Sequence, residues 1–333
     1  MTEPLVSVVI PCFNTKDCVV HAVQSALAQR DVTVEVIVVD DGSTDGTPEQ
    51  VERAFGLEER VHVMRQPRNM GPSAARNAGF KAARGAWTAL LDSDDLWRPD
   101  RLQRLLRHAD EAEFIADNLM AYDAAAGAEA GPVYTGLSDG YLTMTDFLLP
   151  SAADRHDFGY LQPLVFTDFL RQHRIAYRED VRAGEDLLFN LRILAASGRA
   201  YYVDEPLYIY TTPVGAISGL SSPHSRSTAD TRPLIAALEQ VRNELWDRLT
   251  GEEREAFELR LADLRAKAPI GRFHRARAKG RYFDMIKLLL TEPVIRRRVV
   301  ARLLRGADTQ SPSQGRLQQA TGGASRPRRD LDI

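Results

Sequence analysis

The sequence predicts an α/β protein: a mostly parallel sheet flanked by helices, followed by a helical C-terminal extension. Three observations predict it. Short apolar, β-branched runs alternate with segments of helical apolar spacing through the first ~110 residues. Two acidic clusters, Asp40-Asp41-Gly42-Ser43 and Asp92-Ser93-Asp94-Asp95, each follow directly on such a run. Beyond residue 228 the pattern changes to long helical stretches and then a basic block.

Residues 5–10 (LVSVVI) are short, β-branched and bounded by Pro11, as in a buried strand. Val19, Val20, Val23 and Leu27 then recur at helical spacing within residues 17–29. Residues 34–39 (VEVIVV) predict a second buried strand. Thr47-Pro48-Glu49-Gln50 reads as a helix start, with Thr47 as the cap, Pro48 first and Gln50 three residues on. Residues 61–64 predict a third strand, 72–84 an alanine-rich helix and 87–91 (WTALL) a fourth strand, with Pro99 beginning the next helix. Residues 123–140, rich in Ala and Gly, read as a loop or a poor helix, and 161–166 as a strand. Gly184-Glu185-Asp186 opens a helix that Gly198 stops. Residues 201–203 and 207–210 are strand-like, 215–225 a polar loop, and 228–267 helical with one break near Gly251. From Gly306 the composition (Gly, Ser, Gln, Pro, Arg) predicts disorder. The expected organisation is an α/β domain over 1–222, a basic helical extension over 223–305 and a disordered tail over 306–333.

With 333 residues, 44% hydrophobic and 27% charged, the chain can bury a sizeable core. A net charge of -3 argues against wholesale nucleic-acid binding. Two cysteines, Cys12 and Cys18, make neither a disulfide scaffold nor a zinc site and fit reduced thiols in the cytosol. The N-terminus lacks the features of a signal peptide, and no run approaches the ~20 apolar residues of a spanning helix. A cytoplasmic protein is therefore expected. Residues 272–305 hold eleven Lys and Arg against Asp284 and Glu292, a net +9 that leaves -12 for the rest. Basic amphipathic helices lie on anionic membranes. Val294, Ile295, Val299, Val300, Leu303 and Leu304 are the expected apolar face. The alternative is a helix packed on the α/β domain, or a dimer contact.

Ligands of parallel sheets bind beyond the carboxyl ends of the strands, where both acidic clusters fall. Asp92 and Asp94, two apart in extended backbone, point the same way. A hard divalent cation held there can bridge two phosphates and stabilise charge on a leaving group. The plain alternative is an acidic turn before a helix. Asp40 and Asp41 can accept hydrogen bonds from a nucleobase or ribose, or simply shape a turn. Arg76 can pair with these acids or face a nucleotide, or form a surface salt bridge. Asp186, beside Glu185 at a helix N-terminus, is a candidate base, and the helix dipole is expected to hold it ionised at neutral pH. An ordinary first-turn acid is the alternative. Pro11-Cys12-Phe13-Asn14-Thr15 lacks the glycines of a dinucleotide fingerprint or of a phosphate loop, against an NAD-binding oxidoreductase and a nucleotidyltransferase.

Five motifs occur in order: Ser7-Val8-Val9-Ile10-Pro11-Cys12-Phe13-Asn14, Val38-Val39-Asp40-Asp41-Gly42-Ser43-Thr44-Asp45, Gly71-Pro72-Ser73-Ala74-Ala75-Arg76-Asn77, Leu91-Asp92-Ser93-Asp94-Asp95 and Gly184-Glu185-Asp186. The succession, within residues 5–215, resembles family 2 of the inverting glycosyltransferases. That resemblance implies the GT-A nucleotide-diphospho-sugar transferase fold, a Rossmann-like sheet flanked by helices. It implies that Asp41 contacts uracil, that Arg76 belongs to the nucleotide site, and that Pro11, Phe13, Asn14 and Ser93 line the donor pocket. Phe13 stands where Tyr is commoner, losing a hydroxyl and keeping a stacking face. Asp94 resembles the metal-binding member of the DxD motif, with Asp92 beside it toward ribose or metal, for Mn²⁺ or Mg²⁺. Asp186 resembles the catalytic base. Some relatives add a His metal ligand after the base, for which His224 is the candidate. Residues 158–163 and 208–218 are similar to transferases that build bacterial exopolysaccharide repeat units on a lipid carrier, as in succinoglycan-type pathways. The implied donor is a nucleotide-sugar, most often a UDP-sugar. The implied acceptor is a hydroxyl of a saccharide or a polyprenyl-diphosphate-linked saccharide. A catalytically inactive saccharide-binding or scaffolding module at the membrane is the alternative, against which the intact Asp41, Asp92, Asp94 and Asp186 weigh.

Overall fold

Strands apolar on both faces must be covered on both faces, and the two N-terminal runs occupy such places. In a computed structural model, which describes residues 6–149, 158–212 and 230–297, the chain begins β1 (Val6–Cys12), α1 (Val19–Leu27), β2 (Val34–Asp40), α2 (Thr47–Phe55), β3 (Val61–Arg65), α3 (Pro72–Ala82) and β4 (Trp87–Leu90). β1 pairs in parallel with β2 and β4, and β2 with β3. β2 is wholly buried, whereas β3 at the sheet edge is partly open. α3 lies close on β1 because Gly79 has no side chain: a Cβ there would stand 2.3 Å from Val9 Cγ1.

Then come β5 (Leu96–Trp97), α4 (Arg101–Leu106), β6 (Phe114–Asp123), β7 (Ala128–Pro132), β8 (Gly140–Leu142), α5 (Met144–Leu148), β9 (Leu164–Phe166), α6 (Thr167–Gln172), α7 (Glu185–Ala195) and β10 (Ala200–Thr212). The helices α8 (Arg232–Leu245), α9 (Gly251–Ala278) and α10 (Tyr282–Thr291) follow. The sheet order is β3-β2-β1-β4-β9-β6-β10-β5, with β7 beside β6 and β8 beside β10. β9 is antiparallel to β4 and β6, while β6 and β10 run parallel. Leu234, Leu238 and Val241 of α8 and Phe257 and Leu261 of α9 join the same apolar cluster as the sheet.

Several expectations are corrected. Thr47 is not the cap of α2; Gly46 holds that position in left-handed backbone, and Asp45 accepts both the Thr47 amide (2.9 Å) and hydroxyl (2.6 Å). Residues 123–140 are not a helix or plain loop but include β7, a hairpin partner of β6. Asp123 organises its turn by accepting the Ala125 and Ala126 amides, so local pairing overrides the Ala-rich composition. The two short strands expected at 201–210 are one, β10, whose register shifts around Pro206, a residue with no amide proton for the ladder. α9 continues past residue 267 through Pro269 to Ala278, opened by a reciprocal Thr250–Glu253 capping box. The domain boundary at 222, the polar loop at 215–225, His224 and the tail from 306 lie outside the described residues.

Candidate active site

β1, β2 and β4 run side by side in parallel, so the loops after them share one rim of the sheet. The first two loops are zipped together. Asn14, at φ 52°, donates its amide to Ser43 Oγ (2.8 Å) and accepts the Thr44 amide on Oδ1 (2.8 Å). The Lys16 amide donates to Asp45 (3.1 Å) and the Thr15 amide to Thr47 Oγ1 (2.9 Å). Pro11, Phe13 and Asn14 are partly open on this rim. Asp41 is buried and ties the rim to the start of α3, accepting the Met70 amide on Oδ1 (2.7 Å) and the Gly71 amide on Oδ2 (2.8 Å). Burial pushes its pKa up, with Asp40 adding to the rise; the two amides and Arg182 pull the other way. Its neighbour Gly42 sits at φ 76°, where a Cβ would lie 2.6 Å from the Arg68 carbonyl carbon. Gly42→Ala should therefore cost about 1–3 kcal/mol, read as a lowered urea midpoint at unchanged slope.

Residues 92–95, after β4 and Leu91, form a turn closed by the Asp95 amide on the Asp92 carbonyl (3.1 Å), not the extended backbone expected there. Asp92 and Asp94 are partly open, while Ser93 and Asp95 are 6% and 3% exposed. Asp95 is structural: its carboxylate accepts the Tyr208 hydroxyl (2.8 Å) and the Thr211 amide (2.8 Å), pinning β10 to the turn. Burial, then Asp94 and Asp92, hold the Asp95 carboxyl well above the ordinary carboxylate range. Tyr208 Oη also accepts the Asp92 amide (3.1 Å), and the Thr211 hydroxyl donates to the Asp94 carbonyl (2.6 Å). Asp92 Oδ2 accepts from Gln162 Nε2 (3.3 Å).

Arg76 joins this turn to Asp186. Its Nη2 lies 3.1 Å from Asp92 Oδ1, and its Nη1 lies 3.2 Å from Asp186 Oδ1 and 3.6 Å from Glu185 Oε1. The guanidinium is 6% exposed and stands 5.1 Å from the Tyr177 ring centroid. Burial alone would weaken its hold on the proton, but Asp186 and Asp92 outweigh it and keep the group charged. This is no surface salt bridge. Burial pushes the Asp186 pKa up to about 7; Arg76 and the Tyr177 hydroxyl draw it down, Glu185 and Asp92 raise it. The expectation that the N-terminus of α7 keeps Asp186 fully ionised at neutral pH is thus corrected, because loss of hydration outweighs the helix dipole.

One rim of two zipped loops, one acidic turn and one buried arginine linking that turn to Asp186 make up the site. The glycosyl transferase family 2 model matches residues 7–140, which hold Asp41, Arg76, Asp92 and Asp94. The chain is 33% identical over 244 residues to the succinoglycan biosynthesis protein ExoU of Rhizobium meliloti (strain 1021), covering 70% of this chain and 68% of ExoU. The chain belongs to glycosyl transferase family 2. It is also 40% identical over 221 residues to the succinoglycan biosynthesis protein ExoO of the same organism, covering 65% of this chain and 63% of ExoO, so it spans less than two thirds of that relative. Among solved structures it is similar to S. aureus TarS 1-349 in complex with UDP-GlcNAc, at TM-score 0.58 and 19% identity over 82% of this chain and 72% of that one. It is similar too to the mannosyltransferase PcManGT from Pyrobaculum calidifontis in complex with GDP-Man and Mn²⁺, at TM-score 0.54 and 16% identity over 93% and 87%. These structural likenesses bear on the fold, which is the expected GT-A fold with helices C-terminal to it.

In this family 2 chain the structure brings Arg76, Asp92, Glu185 and Asp186 into one cluster and sets Asp41 apart, bonded to the start of α3. Gln162, Tyr177, Tyr208 and Thr211 escaped the sequence reading, because each acts through a partner 70 to 117 positions away. Asn77, adjacent to Arg76, holds Tyr177 in place: its side chain exchanges hydrogen bonds with the Tyr177 carbonyl (3.0 Å) and amide (2.9 Å). The signal available for Gln162, Tyr208 and Thr211 was the resemblance of residues 158–163 and 208–218, which named the segments and not these side chains. The open carboxylates Asp92 and Asp94 suit a hard cation that prefers oxygen ligands. Among the described residues no three His, Cys, Asp or Glu side chains enclose such an ion.

Proposed function

We propose that the chain is an inverting, metal-dependent glycosyltransferase that moves a sugar from a nucleotide-sugar, foremost a UDP-sugar, to a hydroxyl of a saccharide or lipid-linked saccharide, in the synthesis of an extracellular or cell-surface polysaccharide. The observation that carries this reading is the buried Arg76, bridging a DxD carboxylate and Asp186. Asp186, with its pKa near 7, is suited to remove the acceptor hydroxyl's proton at neutral pH. The freed oxygen attacks the anomeric carbon opposite the diphosphate, the bond to the diphosphate breaks, and the nucleoside diphosphate leaves. Pro11, Phe13, Asn14, Asp41 and Ser93 hold the nucleotide end, and Arg76 orients Asp92 and Asp186. Mn²⁺ or Mg²⁺ held by Asp94 and Asp92 would neutralise charge on the departing diphosphate. Relatives named for succinoglycan biosynthesis support the polysaccharide setting, and neighbours carrying UDP-GlcNAc or GDP-Man with Mn²⁺ support the donor class and the metal. No described helix is long and apolar enough to cross a membrane. The reading places the chain on the cytoplasmic side, in peripheral contact with an anionic membrane through its basic C-terminal segment.

The test is thermal unfolding with UDP and Mn²⁺, separately and together. A ligand at about 100 times its Kd adds ~2.7 kcal/mol, a rise of roughly 5–10 °C. The rise should need both ligands and vanish in Asp94→Ala. No rise with UDP, GDP or TDP would favour the inactive module.

A further inference from the structure

Of the apolar face expected in the basic segment, only Val294 and Ile295 are described. Ile295 is 2% exposed and so is packed inward. Val299, Val300, Leu303 and Leu304 lie outside the described residues. Among the described residues of this segment the open apolar face belongs to α10. Tyr282, Phe283, Ile286 and Leu290 are 71%, 81%, 56% and 69% exposed. At 100° per residue these four fall on one side of the helix, with exposed Lys287 at its margin. Leu288 takes the opposite side and Met285 and Leu289 the flank next to Tyr282, all three half-buried, and α10 packs on α9. Four large apolar side chains on one short helix face are too concentrated for ordinary surface scatter.

Charge surrounds this face. Residues 272–297 carry eight Lys and Arg against two acids, a net +6. Arg277 and Lys279 at the end of α9, Lys287 on α10 and Arg297 beyond it are all exposed. An apolar, aromatic-bearing face framed by cations complements the boundary between the headgroups and acyl chains of an anionic bilayer. A second copy of the chain would bring the same positive charge against itself. We infer that α10 lies in the membrane plane with Tyr282, Phe283, Ile286 and Leu290 inserted, and that Lys279 and Lys287 engage acidic headgroups. The inference rests on the membrane-contact reading above for its choice of ligand and on nothing in the transfer chemistry.

The experiment is flotation of the full chain with vesicles of phosphatidylcholine alone or with about 30% phosphatidylglycerol. Wild type should bind the anionic vesicles, bind the neutral ones at least about tenfold more weakly, and weaken further with salt. The Phe283→Ser, Ile286→Ser, Leu290→Ser triple variant should lose anionic binding about tenfold or more while keeping its melting temperature and nucleotide-induced stabilisation. Lys279→Glu with Lys287→Glu, which leaves the apolar face intact, should lose binding to a similar degree. Wild type that stays off both vesicle types, or variants that float like wild type, would overturn the inference. So would a wild-type dimer that the triple variant converts to a monomer in the absence of vesicle binding, which assigns the face to a second copy. Because no donor is present in the flotation, failure here leaves the transferase reading standing, and loss of that reading leaves vesicle binding intact.

Discussion

Asp186→Asn should retain nucleotide-dependent stabilisation and lower transfer by roughly 10²–10⁴-fold, the contribution of a positioned base. Asn keeps the shape and a contact to Arg76 but cannot accept the acceptor's proton. The same residue sets the pH response. Burial, the largest influence, raises its pKa from an ordinary carboxylate value to about 7. Below that pH the partly buried carboxyl is expected to be protonated and unable to act; above it the ionised base should predominate. Wild-type kcat/KM for transfer should therefore climb as pH passes up through about 7 and level off on the alkaline side. An Asp186→Asn enzyme with wild-type turnover would falsify the assignment, and so would a rate that falls through the same range as pH rises.

Arg76→Ala should be the most damaging single change to the fold near the site. The guanidinium is 6% exposed and faces Asp92, Glu185 and Asp186 within 3.6 Å. Removing it leaves three partly or fully buried carboxylates without their cation, at a cost of about 2–4 kcal/mol, below the full buried-pair figure because Asp92 and Asp186 keep some solvent, measurable by chemical denaturation. A second readout separates its electrostatic role from simple packing. Arg76 draws the Asp186 pKa down. In any folded Arg76→Ala enzyme, the midpoint of the pH–rate profile should move to higher pH. Arg76→Lys keeps the charge but not the fork that reaches Asp92 with Nη2 and Asp186 with Nη1. It should preserve more of the stability than of the activity. Unchanged stability and pH midpoint in Arg76→Ala would remove the bridge from the mechanism.

The parallel core was legible because its cause is local. Residues 34–39 are apolar at five of six positions, and a buried parallel strand requires such a run. The partial exposure of both Asp92 and Asp94 was expected from alternation in extended backbone, but residues 92–95 form a turn, closed by the Asp95 amide on the Asp92 carbonyl. The hairpin of β7 was not, because Ala128 to Pro132 has little strand preference of its own and gains it from hydrogen bonds to β6. The exposed face of α10 was missed in favour of residues further along. Which apolar side chains of a basic helix stay open depends on what packs beside it, here α9.

The sequence by itself determined the parallel strands, the acidic turns at their ends and the order of the motifs, all products of backbone geometry and patterning within a few residues. Only the tertiary structure decided the work of each acid. Asp95, next to Asp94 in the chain, is sealed under Tyr208 and Thr211. Asp186, at a helix N-terminus that favours the anion, has its pKa raised to about 7, because partial burial and the neighbouring acids Glu185 and Asp92 outweigh Arg76. Arg76 binds to neither sequence neighbour but to acids 16 and 110 positions away. Hydration and long-range charge are properties of the assembled molecule, and no window of sequence contains them.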